Sequence, residues 1–299
     1  MNALQISDHW NDRVLRDEPM SKHTSWRVGG LADIYFVPRD VEELQAFLAE
    51  LDSETPITWV GLGSNMLVRD GGIRGAVISV QGALGKIERL SESHVLVEAG
   101  VACAKIARMC ARWGVGPAEF FAGIPGTMGG ALSMNAGAFG GETWAQVARV
   151  QVIDRSGTLT WRTPDEYLVG YRSVKGPVQP EWFIAAELEL SPESETSLEK
   201  IRDMLTRRKQ TQPIGQPSCG SVFRNPEGDH AARLIEAAGL KGLVRGGAQV
   251  SEKHANFIIN TGTASAADIE FLIEHVHQTV EERFGVNLVH EVRMVGVAA

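Results

Sequence analysis

The stretch AGIPGTMGGALSMNAGAFGGE (Ala122–Glu142) decides how this chain is read. Seven glycines fall within the nineteen residues from 123 to 141: Gly123, Gly126, Gly129, Gly130, Gly137, Gly140 and Gly141. Glycine loses more conformational freedom on folding than any other residue, so a plain loop gains nothing from such density. Pro125 stiffens the first turn, while Thr127 and Asn135 offer polar groups along a backbone that a ligand can approach closely. A shorter glycine segment, GLGSNMLV (Gly61–Val68), follows directly on the apolar run PITWVG. Small residues there let backbone N–H groups face an anion, and Ser64 and Asn65 add side-chain hydrogen bonds. The segment is not G-x-G-x-x-G, because Met66 occupies the third glycine's place, and it lacks the Gly-Lys-Ser/Thr end of a Walker loop. One long, flat, diphosphate-containing ligand explains both stretches. A tight turn at the first and a glycine-rich domain crossing at the second are the structural alternatives.

Outward from these stretches the chain alternates strands and helices. LADIYFVP, PITWVG and GAVISV read as strands, with an amphipathic helix at VEELQAFLAELD (41–52) between the first two, which is the order of a small α/β unit. After Gly82, HVLVEAG reads as a strand and ACAKIARMCARWG as a helix stopped by glycine. VARVQVID, GTLTW and WFIAAELEL follow as strands, and SPESETS (191–197) is the best linker. A third block places helices at SLEKIRDMLTRRKQ, HAARLIEAAGLKG and AADIEFLIEHVHQTVEERFG, with strands at ANFIIN and VNLVHEVRMVG. The first seventeen residues read as a polar, irregular lead-in.

A length of 299 residues implies about two domains, or three small ones. The net charge of −8 argues against general nucleic-acid binding. No apolar run reaches the 18 residues a membrane span needs, and the start MNALQISDHWNDRV lacks the basic-then-apolar pattern of a signal peptide. Three cysteines, Cys103, Cys110 and Cys219, are too scattered for a disulfide framework or a zinc site, so a reducing cytoplasm is expected and no metal.

Among polar residues, GYRSV places Tyr171 and Arg172 at the end of a turn, beside KGPVQP. Ser221 follows Gly220 in PSCGSVFRNP, but Phe223 stands where the second glycine of a hydrolase elbow belongs. On a strand, Val289, Glu291 and Arg293 share one face, where a glutamate is ordinarily solvated. KIRDMLTRRK (200–209) carries five basic residues and one acid: a solvated helix face or a diphosphate site. Cys103 and Cys110 read as core, and nothing beside Cys219 marks a thiolate.

Taken in order, KHTSWRVGGLAD, GLGSNMLV, AGIPGTMGGALSMNAGAFGGE, GYRSV, GSVFRNP and HEVRMVG resemble the UDP-N-acetylenolpyruvoylglucosamine reductases, from about Lys22 to Gly296. Length and the KHANFIIN segment are similar to the shorter of the family's two types, which lacks an extra substrate loop. The resemblance implies an α+β fold: an FAD-binding module of the vanillyl-alcohol-oxidase type in two α/β subdomains, plus a C-terminal α/β substrate-binding domain. The boundaries it suggests are 1–81 for the first subdomain, with the strand 287–299 returning to it, 82–196 for the second, and 197–286 for the substrate domain. Carried over by position, the FAD residues are Gly61, Gly63, Ser64, Asn65, Gly123, Ile124, Pro125, Gly129, Gly130, Asn135 and Gly137. The catalytic residues are Arg172, Ser221 and Glu291; Tyr171, Lys209 and Asn225 face the substrate. Phe139 stands where the family often has tyrosine, and the KQTQP context of Lys209 departs from the family.

The implied reaction is the NADPH-dependent reduction of UDP-N-acetylglucosamine enolpyruvate to UDP-N-acetylmuramate in peptidoglycan synthesis. Arg172 would hold the carboxylate as charge grows, Glu291 would hydrogen-bond the enolate, and Ser221 would protonate carbon. A flavin oxidase built on the same module and a nucleotide-sensing protein without catalysis are the rival readings. The sequence does not fix an oligomeric state.

Overall fold

The computed structural model describes residues 6–177, 180–194 and 196–299. Part of KGPVQP (Val178, Gln179) and one residue of SPESETS (Glu195) therefore lie outside the described residues, as do the first five of the lead-in. The chain divides into two interleaved compact units. The first comprises the segment up to Val14, Phe36–Gly61 and Ile78–Arg207; the second comprises Leu15–Tyr35, Leu62–Val77 and Arg208–Ala299. Neither is a consecutive block of sequence.

The first unit is built on a five-stranded antiparallel sheet with strand order Leu159–Arg162, Val147–Asp154, Glu181–Glu189, His94–Glu98, Ile87–Arg89. Val95, Val97, Val150, Val152, Ala186 and Leu188 bury one face of it. The unit's helices include α1 (Val41–Glu50), α2 (Cys103–Trp113) and α3 (Met128–Met134). α1 starts where the Asp40 carboxylate accepts the Glu43 N–H at 2.8 Å, satisfying an orphan donor of the first turn. α2 stops at Gly114, whose φ of +66° is a left-handed cap that other residues rarely adopt. Its buried Cys103, Ile106, Ala107 and Cys110 pack with Met128, Ala131 and Leu132 of α3. Glycine stretch two is thus partly helical, which its glycine content hid.

The N-terminal segment differs from the irregular lead-in expected. Trp10 is buried edge-on against Phe36 and Phe47, with ring centroids 5.5 Å away in both cases, and its Nε1 donates to Glu50 Oε2 at 3.0 Å. The strand Val14–Pro19 follows. One apolar side chain among charges gives no periodic signal, yet a single buried tryptophan anchors the segment.

In the second unit, Val14–Pro19, Leu31–Phe36 and Ile73–Ser79 are neighbouring strands, in that order. The antiparallel strands Val244–Arg245, Ala248–Val250 and Ile258–Asn260 form a separate sheet. α4 (Leu198–Thr211) leads into this unit, followed by α5 (Ala231–Ala237) and α6 (Ala266–Phe284). α6 begins with a capping box, Ser265 Oγ accepting from the Asp268 N–H while Asp268 accepts from the Ser265 N–H. Its Ile269, Leu272, Ile273, Val276 and Val280 are buried against α5 and the small sheet. Each such side chain contributes about 1.5–3 kcal/mol by leaving water. The C-terminal strand is short: Arg293–Val295 pairs in parallel with Met66–Val68. Glu291 precedes it in irregular chain, so the face predicted from strand alternation does not exist there.

Candidate active site

In the first unit the two glycine stretches meet. A Cβ at Gly61 would lie 2.6 Å from Thr127 Oγ1, so the first loop runs against the residue that begins α3. Most glycines of the second stretch are required by protein neighbours. A Cβ at Gly123 would strike the Phe139 ring at 2.5 Å, one at Gly129 would come within 3.1 Å of Ala99 Cβ, and one at Gly137 would meet the Gly141 carbonyl. Gly140 has open space around it but a left-handed backbone, φ +86°; Gly130 is bound by neither constraint. It is exposed in the first turn of α3, its φ is not left-handed, and a Cβ there finds only Thr127 Oγ1, 3.9 Å away. No protein neighbour requires glycine at this position, where alanine favours helix by about 1 kcal/mol. That open backbone beside the buried Thr127 is what a close-lying cofactor needs, and the residues present fit a flavin dinucleotide. Ile124 is buried and Pro125 exposed on the same turn.

Arg172 sits in the two-residue turn between the paired strands Leu168–Gly170 and Ser173–Lys175, with φ +53°. A left-handed non-glycine residue costs of order 1–3 kcal/mol and persists only where its surroundings over-determine it. Here the surroundings are named. Arg172 Nη2 donates to the Gly137 carbonyl at 2.8 Å and Nη1 to the Asn135 carbonyl at 3.3 Å. Asn135, itself left-handed at the end of α3, spends its carboxamide on the frame. Nδ2 donates to the Gly170 carbonyl at 3.2 Å and to Glu142 Oε2 at 2.9 Å, and Oδ1 accepts the Trp144 N–H at 3.1 Å. Asn135 thus ties α3 to the Arg172 hairpin, and Glu142, which sequence reasoning did not single out, shares that work. Tyr171 is exposed, its ring centroid 5.3 Å from the Arg172 guanidinium carbon.

In the second unit, Gly63, Asn65, Ser221 and Glu291 lie on adjoining strands of chain. Gly63 has φ +57°, and a Cβ there would overlap the His23 carbonyl. Half-buried Ser64 separates it from Asn65. Asn65 Nδ2 donates to the Glu291 carbonyl at 3.0 Å, and its own carbonyl accepts the Arg293 N–H at 3.0 Å. Glu291 N–H in turn donates to the Val222 carbonyl at 2.8 Å, and Phe223 and His290 form a β-bridge. Half-buried Glu291 therefore lies one backbone bond from the residue after Ser221, in place of the solvated strand position expected. Cys219 Sγ packs on the Gly63 and Met66 carbonyls, and burial pushes its thiol up to about 12, so it stays protonated.

Asn225 and Lys209 are exposed. Asn225 Oδ1 accepts the Ala231 N–H at 3.1 Å, where α5 begins, and Lys209 offers its carbonyl to Lys253 Nζ. Among the described residues there is no group of three or more potential metal ligands, and no helix long and apolar enough to cross a membrane.

Residues 212–295 match the model of the UDP-N-acetylenolpyruvoylglucosamine reductase C-terminal domain, and residues 32–162 match that of an FAD-binding domain. The UDP-N-acetylenolpyruvoylglucosamine reductase of Alkalilimnicola ehrlichii is 57% identical over 97% of this chain and 95% of its own length. The chain belongs to the UDP-N-acetylenolpyruvoylglucosamine reductase family. The reductase of the same name from Methylococcus capsulatus is 56% identical over 95% of this chain and 93% of its own. The crystal structure of UDP-N-acetylenolpyruvylglucosamine reductase from Thermus caldophilus superposes with a TM-score of 0.81 at 32% identity, covering 95% of this chain and 99% of that one. As a member of the reductase family with a matching FAD-binding domain, the chain is an FAD-dependent oxidoreductase of mixed α and β structure.

Proposed function

We propose that this chain reduces the enolpyruvyl group of UDP-N-acetylglucosamine enolpyruvate to UDP-N-acetylmuramate with NADPH, as a cytoplasmic step of peptidoglycan synthesis. The observation that carries the reading is the adjacency of Glu291 to the segment that starts at Ser221, held by the Val222 carbonyl and clamped by Asn65. The family's reductase names and the FAD-binding match support the same chemistry. On this reading 1–81 and 82–196 are the FAD subdomains, with 287–299 returning to the first, and 197–286 takes the sugar nucleotide. Gly61, Gly63, Ser64, Asn65, Gly123, Ile124, Pro125, Gly129, Gly130 and Gly137 would hold FAD, with Asn135 fixing the end of α3 that frames the site.

When bound, FAD would supply the hydride, taken from NADPH, that the vinyl terminus of the substrate receives. Hydride addition leaves an electron pair on the carbon beside the carboxylate. Arg172, fixed by two backbone carbonyls, supplies positive charge to that carboxylate as the charge grows; a preorganised donor needs no reorganisation during reaction. Glu291 offers a hydrogen bond to the enolate oxygen in its protonated form. Ser221 gives its hydroxyl proton to the carbon and regains one from solvent. Tyr171, Asn225 and Lys209 contact substrate beyond the reacting group.

Rapid mixing separates the two half-reactions. Ser221→Ala should slow flavin reoxidation by the enolpyruvyl substrate about 10²–10⁴-fold, the usual worth of general acid catalysis, and spare flavin reduction by NADPH. Ser221→Cys should recover part of the loss, since a thiol keeps an acidic proton in nearly the same place. Equal slowing of both steps, or a normal substrate step, would remove Ser221 from this role.

A further inference from the structure

We propose that Asn256 is the positioning residue that sets the Ser221 hydroxyl, a role that rests on Ser221 being the proton donor. Asn256 is 3% exposed. Its carboxamide takes the place of a strand partner for Phe223. Oδ1 accepts the Phe223 N–H at 3.0 Å and Nδ2 donates to the Phe223 carbonyl at 2.8 Å. The backbone carbonyl of Asn256 accepts the Val222 N–H at 2.9 Å. One residue thereby satisfies three of the four backbone groups of Val222 and Phe223, the two residues immediately after Ser221.

The other side of the segment is held by the Glu291 and Val292 N–H groups, both donating to the Val222 carbonyl, at 2.8 and 3.3 Å. Upstream the nearest anchor is the buried Cys219, two residues away, whose Sγ donates to the Gly63 and Met66 carbonyls. Gly220 has φ +74°, and a Cβ there would find nothing within 4 Å. Ser221 thus follows an unpacked glycine hinge, and its direction is set from its C-terminal side, where Asn256 supplies most of the bonds. A carboxamide is suited to this because it donates and accepts at once. A buried carboxylate in its place would leave the Phe223 carbonyl without a donor and oppose its lone pairs. Proton transfer demands a donor within about 2.6–3.2 Å of its target, and a displacement of ~1 Å can cost about 10²-fold.

The effect should therefore appear only in the step that uses the serine proton. Asn256→Asp should slow the substrate half-reaction ~10–100-fold, leave NADPH-driven flavin reduction near the wild-type rate, and lower kcat with KM for the enolpyruvyl substrate little changed. The decisive comparison is a double-mutant cycle with Ser221→Ala. If Asn256 acts through Ser221, Asn256→Asp adds no further loss in the Ser221→Ala background. An equal loss in both backgrounds, or parallel slowing of both half-reactions, would overturn the proposal and leave Asn256 structural. A wild-type substrate step in Ser221→Ala alone would instead overturn the proton-donor reading, and this inference with it. Asn256→Ser, which retains one donor and acceptor, serves with the same outcomes where the aspartate variant does not fold.

Discussion

Replacing Gly130 by alanine sets protein stability against cofactor binding in opposite directions. A Cβ at this position meets nothing of the protein closer than 3.9 Å, and its backbone is not left-handed. Alanine should therefore stabilise α3 by roughly 0.5–1 kcal/mol through helix propensity and a less flexible unfolded chain. In a chain this long that corresponds to a rise of about 1–4 °C in the melting temperature of the flavin-free protein. The same methyl group stands where the cofactor backbone is expected to lie, so flavin affinity should fall. Gly129→Ala is the control. Its Cβ would crowd Ala99 at 3.1 Å, so stability and flavin content should fall together. The assay is thermal unfolding of the stripped proteins beside flavin titration followed by absorbance. Gly130→Ala with wild-type flavin affinity would refute the argument that this open glycine is reserved for the cofactor.

Other consequences are as direct. Arg172→Ala and Glu291→Gln should slow reoxidation by the enolpyruvyl substrate while leaving reduction by NADPH intact, as stopped-flow absorbance would show; slowed reduction would place them elsewhere in the cycle. Arg69 holds Glu270 through three hydrogen bonds of 2.7–3.0 Å, so Arg69→Met should cost about 1–2 kcal/mol in denaturant unfolding once solvent screening is allowed for. Burial lowers the folded-state pKa of His254 and of His290 below the ordinary histidine value of about 6.5. The unfolded chain then binds more protons between the lowered and ordinary values, so stability rises with pH through that window and is lost as pH falls. His254→Gln together with His290→Asn should flatten this slope in melting curves taken across it.

The sequence revealed the parts that follow local rules. α1, α2 and α6 are legible from apolar spacing, with Gly114 marking the end of α2; the Asp40 and Ser265 caps became visible only in the structure. The glycine stretches pointed to a ligand, although most of their glycines answer to neighbours such as Thr127, Phe139 and Gly141, which no local pattern names. Trp10 was missed because its partners Phe36 and Phe47 arrive from far along the chain. Glu291 was placed on a strand by alternation, whereas its backbone is committed to Val222 and Asn65, more than sixty and two hundred residues away. Asn256 and Glu142 carried no sequence signal, since an amide or carboxylate that satisfies other residues' backbone or side chains looks like any surface polar group. In each case the missing information was a tertiary contact, a ring packed on rings for Trp10 and a hydrogen bond for the others, that no local pattern names.

The visible spectrum of the purified protein under anaerobic conditions is the decisive measurement. A flavin band should bleach on addition of NADPH and return, in proportion to the amount added, with UDP-N-acetylglucosamine enolpyruvate. A colourless protein that takes up no FAD, or a reduced flavin that reoxidises with oxygen and ignores the enolpyruvyl nucleotide, would contradict the proposed function.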